Sequence, residues 1–194
     1  MPKILLINPP SEFKTPVLPL GLASIAAYLK SQNKNLNLQV LDAWAENLGL
    51  AELKNRVAQS KADVIGIYMV SPRYDKAKAT IETCRETLPN SIIIAGGPHP
   101  SAVPVETLNN IPQLDICVIG EGEITMDELV KGLPLPTIDG IAYREGGEIK
   151  ITKPREFIQD LDDLPLPARE LFPLQRYKTH PPYGRKNPYL TMVT

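Results

Sequence analysis

Only two cysteines and two histidines occur among the 194 residues. Cys84 and Cys117 lie far apart in apolar-periodic segments, and neither belongs to a metal-binding pair. Buried structural thiols are expected there, and no resident metal site. An excess of charge is missing too: 21 basic residues stand against 22 acidic ones, a net charge of -1. That balance leaves no footprint for nucleic acid or an anionic membrane. No apolar run approaches the ~18 residues of a membrane span. The start, Met1-Pro-Lys-Ile-Leu-Leu-Ile-Asn, lacks the length and cleavage chemistry of a signal peptide. A cytoplasmic location and no integral membrane segment are expected.

Phosphate-binding loops are absent as well. There is no Gly-x-x-x-x-Gly-Lys-Ser/Thr, and no Gly-x-Gly-x-x-Gly follows the first apolar run. Gly120-Glu-Gly lacks the third glycine, and its acidic neighbours would repel a pyrophosphate. Asn8-Pro9-Pro10 supplies neither the acidic pair of a receiver domain nor the hydroxyl-rich loop of a flavodoxin.

With 43% hydrophobic and 22% charged residues, the composition supports a packed core. Apolar runs at 3–8, 38–41, 63–68, 91–95 and 115–119 read as strands. Helices are expected at 20–32, 50–60, 74–88, 101–110 and 123–131; in the third, Ala77, Ile81, Cys84 and Leu88 share one face. Strand and helix thus alternate five times, the pattern of an α/β, doubly wound, five-stranded parallel sheet of flavodoxin or Rossmann type, with order 2-1-3-4-5. Residues 1–133 are expected to form this domain. Residues 134–194 are expected to form a β-hairpin, strands 140–144 and 148–152 around Gly146-Gly147, and then a linker. Proline is abundant, 20 residues in all, and its density after Gly132 implies extended connecting chain. Residues 188–194 read as the start of a further strand, leading into another domain.

In such a sheet, ligands bind beyond the carboxyl ends of the strands. Two loops there are rich in glycine. Ile92-Ile-Ile-Ala-Gly-Gly-Pro-His-Pro runs from a buried strand into paired glycines, and Ile116-Cys-Val-Ile-Gly-Glu-Gly-Glu repeats the design. Glycine allows a bulky ligand to approach the main chain, and Pro98 and Pro100 stiffen the exit. Two such loops are expected to form one pocket.

Pro19-Leu-Gly-Leu, Gly96-Gly-Pro-His-Pro and Asp115-Ile-Cys-Val-Ile-Gly-Glu-Gly-Glu with Thr125 resemble the N-terminal cobalamin-binding domain of B12-dependent radical SAM enzymes. Leu164-Pro-Leu-Pro-Ala-Arg resembles the linker before their barrel. The resemblance implies cobalamin in this domain, and S-adenosylmethionine with a 4Fe–4S cluster in the C-terminal domain beyond it. It implies that the small-molecule substrate is held mainly by that second domain. The cofactor-binding set it implies begins with Gly96 and Gly97 near the nucleotide tail and Ser71 against the base. Gly120, Glu121 and Gly122 belong to the rim, and Leu18, Leu20 and Tyr68 supply apolar contact. Pro10, Val70, Arg73, Pro98 and His99 complete the set. No catalytic residue and no metal ligand are assigned in this chain.

One departure matters. Many cobalamin folds carry Asp-x-His-x-x-Gly after the first strand, but residues 8–21 here contain no histidine. His99 is left between a structural or rim hydrogen bond, a cofactor contact and cobalt ligation. Arg73 is either in a salt bridge or at a phosphate. Trp44 either packs in the core or touches the corrin. Asp42 reads as a loop or cap residue, and Glu121 and Glu123 as first-turn acids of a helix. Three functions follow. The first is methyl transfer from methylcobalamin to an unactivated carbon or to phosphorus. The others are a non-catalytic corrinoid carrier or sensor, and a radical SAM oxidative cyclase of tetrapyrrole metabolism.

Overall fold

The computed structural model describes residues 2–13 and 15–177. The strand expected at 188–194, and His180, lie outside the described residues. The first strand, β1 (Lys3–Asn8), is central because both of its faces are apolar. Ile4 and Leu6 enter one core, and Leu5 and Ile7 the other. Helix α1 (Leu20–Gln32) packs close to the sheet through Ala23, Ala26 and Ala27. Then come β2 (Asn37–Asp42), α2 (Leu50–Ser60), β3 (Val64–Tyr68), α3 (Tyr74–Thr87) and β4 (Ile92–Gly96).

The helix expected at 101–110 is two helices, α4 (Pro98–Ala102) and α5 (Pro104–Asn110). Pro104 has no N–H to continue the first, so the chain restarts there with proline in the first helical turn. The chain proceeds through β5 (Ile116–Val118), α6 (Glu123–Val130), β6 (Ile141–Glu145) and β7 (Glu148–Ile151).

The sheet order is β2-β1-β3-β4-β5-β6-β7. The first five strands are parallel, in the expected order 2-1-3-4-5. The sheet has seven strands rather than five, because the hairpin joins it: β6 pairs antiparallel with β5, Cys117 opposite Ala142, and β7 pairs with β6. The hairpin turn holds Gly146 and Gly147 at φ 59° and 87°, the doubly positive geometry of a tight two-residue loop. The expected division at residue 133 therefore falls inside a sheet that continues beyond it. The physical reason is β5 itself: three residues long and wholly buried, it requires a partner on its outer side.

The proline-rich segment after β7 is more than connecting chain. It forms short 3-10 turns at Leu161–Asp163, Arg169–Leu171 and Leu174–Arg176. It docks on α1, where Ala168 N–H donates to the Ala23 carbonyl at 2.9 Å. Ala168, Phe172 and Tyr177 are buried in the α1-side core. Proline blocks helix here, yet spaced apolar side chains still bury against a helix face.

Candidate functional site: a glycine-walled slot

A cavity opens between the sheet and helices α1 and α6 at the carboxyl ends of the parallel strands. Its origin is a parity rule. Side chains alternate along a strand, so Val64, Gly66 and Tyr68 of β3 share one face, as do Ile92, Ile94 and Gly96 of β4. On β4 that face carries Ile94 in mid-strand and Gly96 at the end, and on β3 it carries Gly66 in mid-strand and Tyr68 at the end. Leu6, Gly66, Ile94 and Met126 form the floor, and Gly96, Gly97 and Tyr68 one wall. Gly21, Leu22 and Ile25 of α1 stand opposite, and Gly120, Glu121, Gly122 and Glu123 close the side.

The cavity measures about 180 Å³, below the roughly 300–1,000 Å³ usual for sites that enclose a whole small molecule. It is too small for a whole corrin macrocycle and has room for only part of so large a cofactor. The glycines test the fit. A Cβ on Gly21 or Gly120 would meet no atom within 4 Å, and one on Gly96 only Val118 at 3.8 Å. These three leave open the space that side chains would fill. At Gly66 a Cβ would strike Leu6 at 2.8 Å, and at Gly122 it would strike Ile25 at 2.9 Å.

The two glycine loops meet, as expected. Gly97 sits at φ 111°, and a Cβ there would lie 2.8 Å from the Met69 carbonyl. Met69 N–H donates to the Gly96 carbonyl at 2.8 Å, and His99 N–H to the Met69 carbonyl at 3.3 Å. Gly120 N–H donates to Ser101 Oγ at 3.0 Å, tying the second loop to the first.

Of the residues expected at the cofactor, Tyr68, Gly96, Gly97, Gly120, Glu121 and Gly122 line the cavity. Pro10, Leu18, Leu20, Val70, Ser71, Arg73, Pro98 and His99 do not. Ser71 is exposed in a 3-10 turn and pairs with His99 Nδ1 at 3.0 Å, while the Tyr74 ring packs 4.9 Å from the imidazole. Ser71 and His99 therefore engage one another outside the slot. Leu18 is buried in the core.

Arg73 joins no acid in an ion pair among the described residues. Its guanidinium stacks 4.5 Å over Trp44 and 6.0 Å from Tyr68, and Nη1 donates to Asn8 Oδ1 at 3.3 Å. Burial lowers its pKa from the ordinary value. Trp44 is fixed by Nε1–H donating to the Phe13 carbonyl at 2.6 Å.

Asp42 acts as the loop residue expected. Oδ1 accepts from Ala45 N–H and from Asn8 Nδ2, both at 2.9 Å, and Oδ2 accepts from Tyr177 O–H at 2.6 Å. Burial pushes this carboxyl upward despite its three donors. The same burial, with the neighbouring carboxylate, raises the Tyr177 phenol.

Glu123 lies in the first turn of α6, as expected. Glu121 instead anchors a distant segment, its Oε2 accepting from Ile158 N–H at 2.8 Å. Thr125 Oγ1 accepts from Arg155 Nε at 2.8 Å, and the same guanidinium pairs with Glu128. Among the described residues, no group of three or more His, Cys, Asp or Glu side chains could hold a metal ion.

The floor and the α1 wall are the residues that reasoning from the loops missed. Gly66 carried a signal, being a glycine inside an apolar strand, where a close approach is the usual cause. Gly21 carried another, within Pro19-Leu-Gly-Leu. Leu22 ends that same motif, whereas Ile25 and Met126 carried no signal, because apolar helix positions look alike whether they face a core or a cavity.

The B12 binding domain family matches residues 11–130. An uncharacterized methyltransferase of Pyrococcus horikoshii is 32% identical over 186 residues, which are 91% of this chain and 40% of that protein. The anaerobic magnesium-protoporphyrin IX monomethyl ester cyclase of Synechocystis is 34% identical over 197 residues, 95% of this chain and 38% of the cyclase. The chain thus spans about two-fifths of the length of these relatives.

Among solved structures, the cobalamin-dependent S-adenosylmethionine radical enzyme OxsB, with aqua-cobalamin and S-adenosylmethionine bound, superimposes with a TM-score of 0.75 at 23% identity. That match covers 88% of this chain and 24% of OxsB. The radical S-adenosylmethionine methyltransferase TsrM from Kitasatospora setae, with cobalamin and a 4Fe–4S cluster bound, gives 0.68 at 17% identity, covering 79% of this chain and 31% of TsrM. At these identities the likeness is one of fold. The family match over most of the sheet and the identities to full-length relatives go further: this chain belongs to the B12-binding domain family.

Proposed function

We propose that this domain holds cobalamin by its nucleotide tail and presents it to the catalytic domain of a radical SAM methyltransferase. The observation that carries the reading is the glycine-walled slot at the carboxyl ends of β1, β3, β4 and β5. A flat base enters it against main chain rather than side chains, with Leu6, Ile94 and Met126 beneath and Tyr68 at the mouth. Bound cobalamin supplies a cobalt centre that carries alkyl groups and electrons. The chain's residues orient it, keep water from the base and lend it no charged side chain from the floor. S-adenosylmethionine, a 4Fe–4S cluster and the small-molecule substrate belong, in this proposal, to the larger enzyme, working in the cytoplasm. No described helix is long and apolar enough to cross a membrane.

A second reading, oxidative ring closure on a tetrapyrrole, is favoured by the 34% identity to the Synechocystis cyclase. It uses the same slot. A carrier or sensor role has no comparable observation behind it.

The test is binding of hydroxocobalamin to the purified chain, followed by gel filtration and the absorbance of the retained corrinoid. Gly96→Leu places a side chain in the slot at a position where its Cβ meets only Val118. It is expected to weaken binding by about tenfold or more, as a filled pocket must, with an unchanged circular dichroism spectrum. Equal retention by wild type and Gly96→Leu would exclude the slot as the site.

A further inference from the structure

Residues 153–168 touch both walls of the slot. On one side Arg155 donates to Thr125 Oγ1 at 2.8 Å and pairs with Glu128, so it is seated on α6. Three residues later, Ile158 N–H donates to Glu121 Oε2 at 2.8 Å, and Glu121 lines the slot. On the other side Ala168, buried at 4% exposure, donates its N–H to the carbonyl of Ala23 at 2.9 Å. Ala23 follows Gly21 and Leu22, which line the opposite wall. Residues 159–167 therefore run from one wall to the other. The walls also meet directly, since a Cβ on Gly122 would lie 2.9 Å from Ile25.

We propose that this segment is a clasp that sets the spacing between α1 and the 120–123 loop. Arg155 and Glu121 are its positioning residues for whatever occupies the slot. The proposal rests on the cobalamin reading for the identity of that occupant, not for the clasp itself. A group wedged between two walls holds them at one separation, and a strap anchored on both walls does the same. Each therefore favours the other, and the coupling is reciprocal. Glu121 contributes an acceptor at a fixed point, so glutamine, whose Oε1 can also accept from Ile158 N–H, replaces it and alanine does not. Arg155 does not line the slot, so any effect of its loss on binding is indirect, through the strap or through α6, and only an effect that also reaches the Ala168 amide on the far wall belongs to the strap.

The experiment measures hydroxocobalamin affinity and amide hydrogen exchange on the whole chain, for wild type, E121Q, E121A, R155A and K54A. Lys54 pairs with Glu86 at 3.3 Å, both side chains being exposed and neither lining the slot, and serves as the control. Bound hydroxocobalamin is expected to slow exchange at both Ile158 and Ala168. R155A and E121A are expected to weaken binding by about fivefold or more, the lower end of measured site–site couplings, with E121Q and K54A near wild type. Wild-type binding with no change in exchange at either amide, or R155A binding like wild type, would overturn the clasp.

If the wild type binds no corrinoid, the cofactor reading fails instead, and the clasp is judged without ligand. E121A must then speed exchange at Ala168, on the far wall, as well as at Ile158. An unchanged Ala168 amide overturns it.

Discussion

Gly97 is constrained twice. Its φ of 111° disfavours any side chain, and a Cβ would collide with the Met69 carbonyl and the Tyr68 ring. Gly97→Ala is expected to cost about 1–3 kcal/mol, the range for a forced residue at positive φ, read from urea unfolding. Gly96, one residue earlier, has neither constraint, so the adjacent alanine variant should unfold close to wild type. The cysteines offer a second test at this scale. Both are fully buried, and burial pushes each thiol up to about 12. Neither should react with an aromatic disulfide reagent in the native state near neutral pH, and both should react once urea unfolds the chain. Residue types were legible here and partners were not. Gly96-Gly97 announced a close approach to main chain, which Gly97 makes at Met69, but the pairing of Ser71 with His99 joins two loops that only the sheet brings together.

At the scale of the element, α1 and the returning segment carry the contrast. Gly21 is exposed in the first turn of α1, and a Cβ there meets nothing. Gly21→Ala should stabilise the chain by about 0.5–1 kcal/mol through helix propensity, measured as a higher urea midpoint. Tyr177 lies at the end of the docked segment and donates to Asp42, which is 1% exposed. Tyr177→Phe strips a donor from a buried carboxylate and should cost about 1–3 kcal/mol.

Asp42 also gives a pH signature. Its folded-state pKa is raised by burial, so the folded chain binds this proton more readily than the unfolded chain. The associated stability is present below the unfolded value and lost as pH rises through the folded one. Asp42→Asn removes that titration, and its urea midpoint should fall less than wild type's between about pH 4 and about pH 7. The local role of Asp42 was readable beforehand, but its burial and its distant partner were not. Asp42 looked like a cap, and its partner Tyr177 is distant in sequence, beyond a stretch whose prolines suggested plain connecting chain.

For the molecule as a whole, one sheet links the parallel units to the hairpin. Ending the chain at residue 133 would expose β5 along one edge and remove the cover from Ile116, Cys117 and Val118. A chain of residues 1–133 is expected to lose the cooperative unfolding transition of the full chain and to aggregate, seen by circular dichroism and light scattering. The exposed Phe157, Leu161 and Leu166 on the returning segment add apolar surface outside the core.

The sequence alone determined the alternation of strands and helices, the parallel order 2-1-3-4-5 and the presence of a cavity beyond the strand ends. These follow from local rules: side-chain period, the freedom of glycine and the short links between elements. The tertiary structure decided the sheet's true width, the floor of the slot, the duty of Glu121 and the return of the chain to α1. Each of those depends on contacts between residues far apart in sequence. Whether an apolar side chain meets a core, a cavity or a strap is a property of what stands opposite it, which its own neighbours do not record.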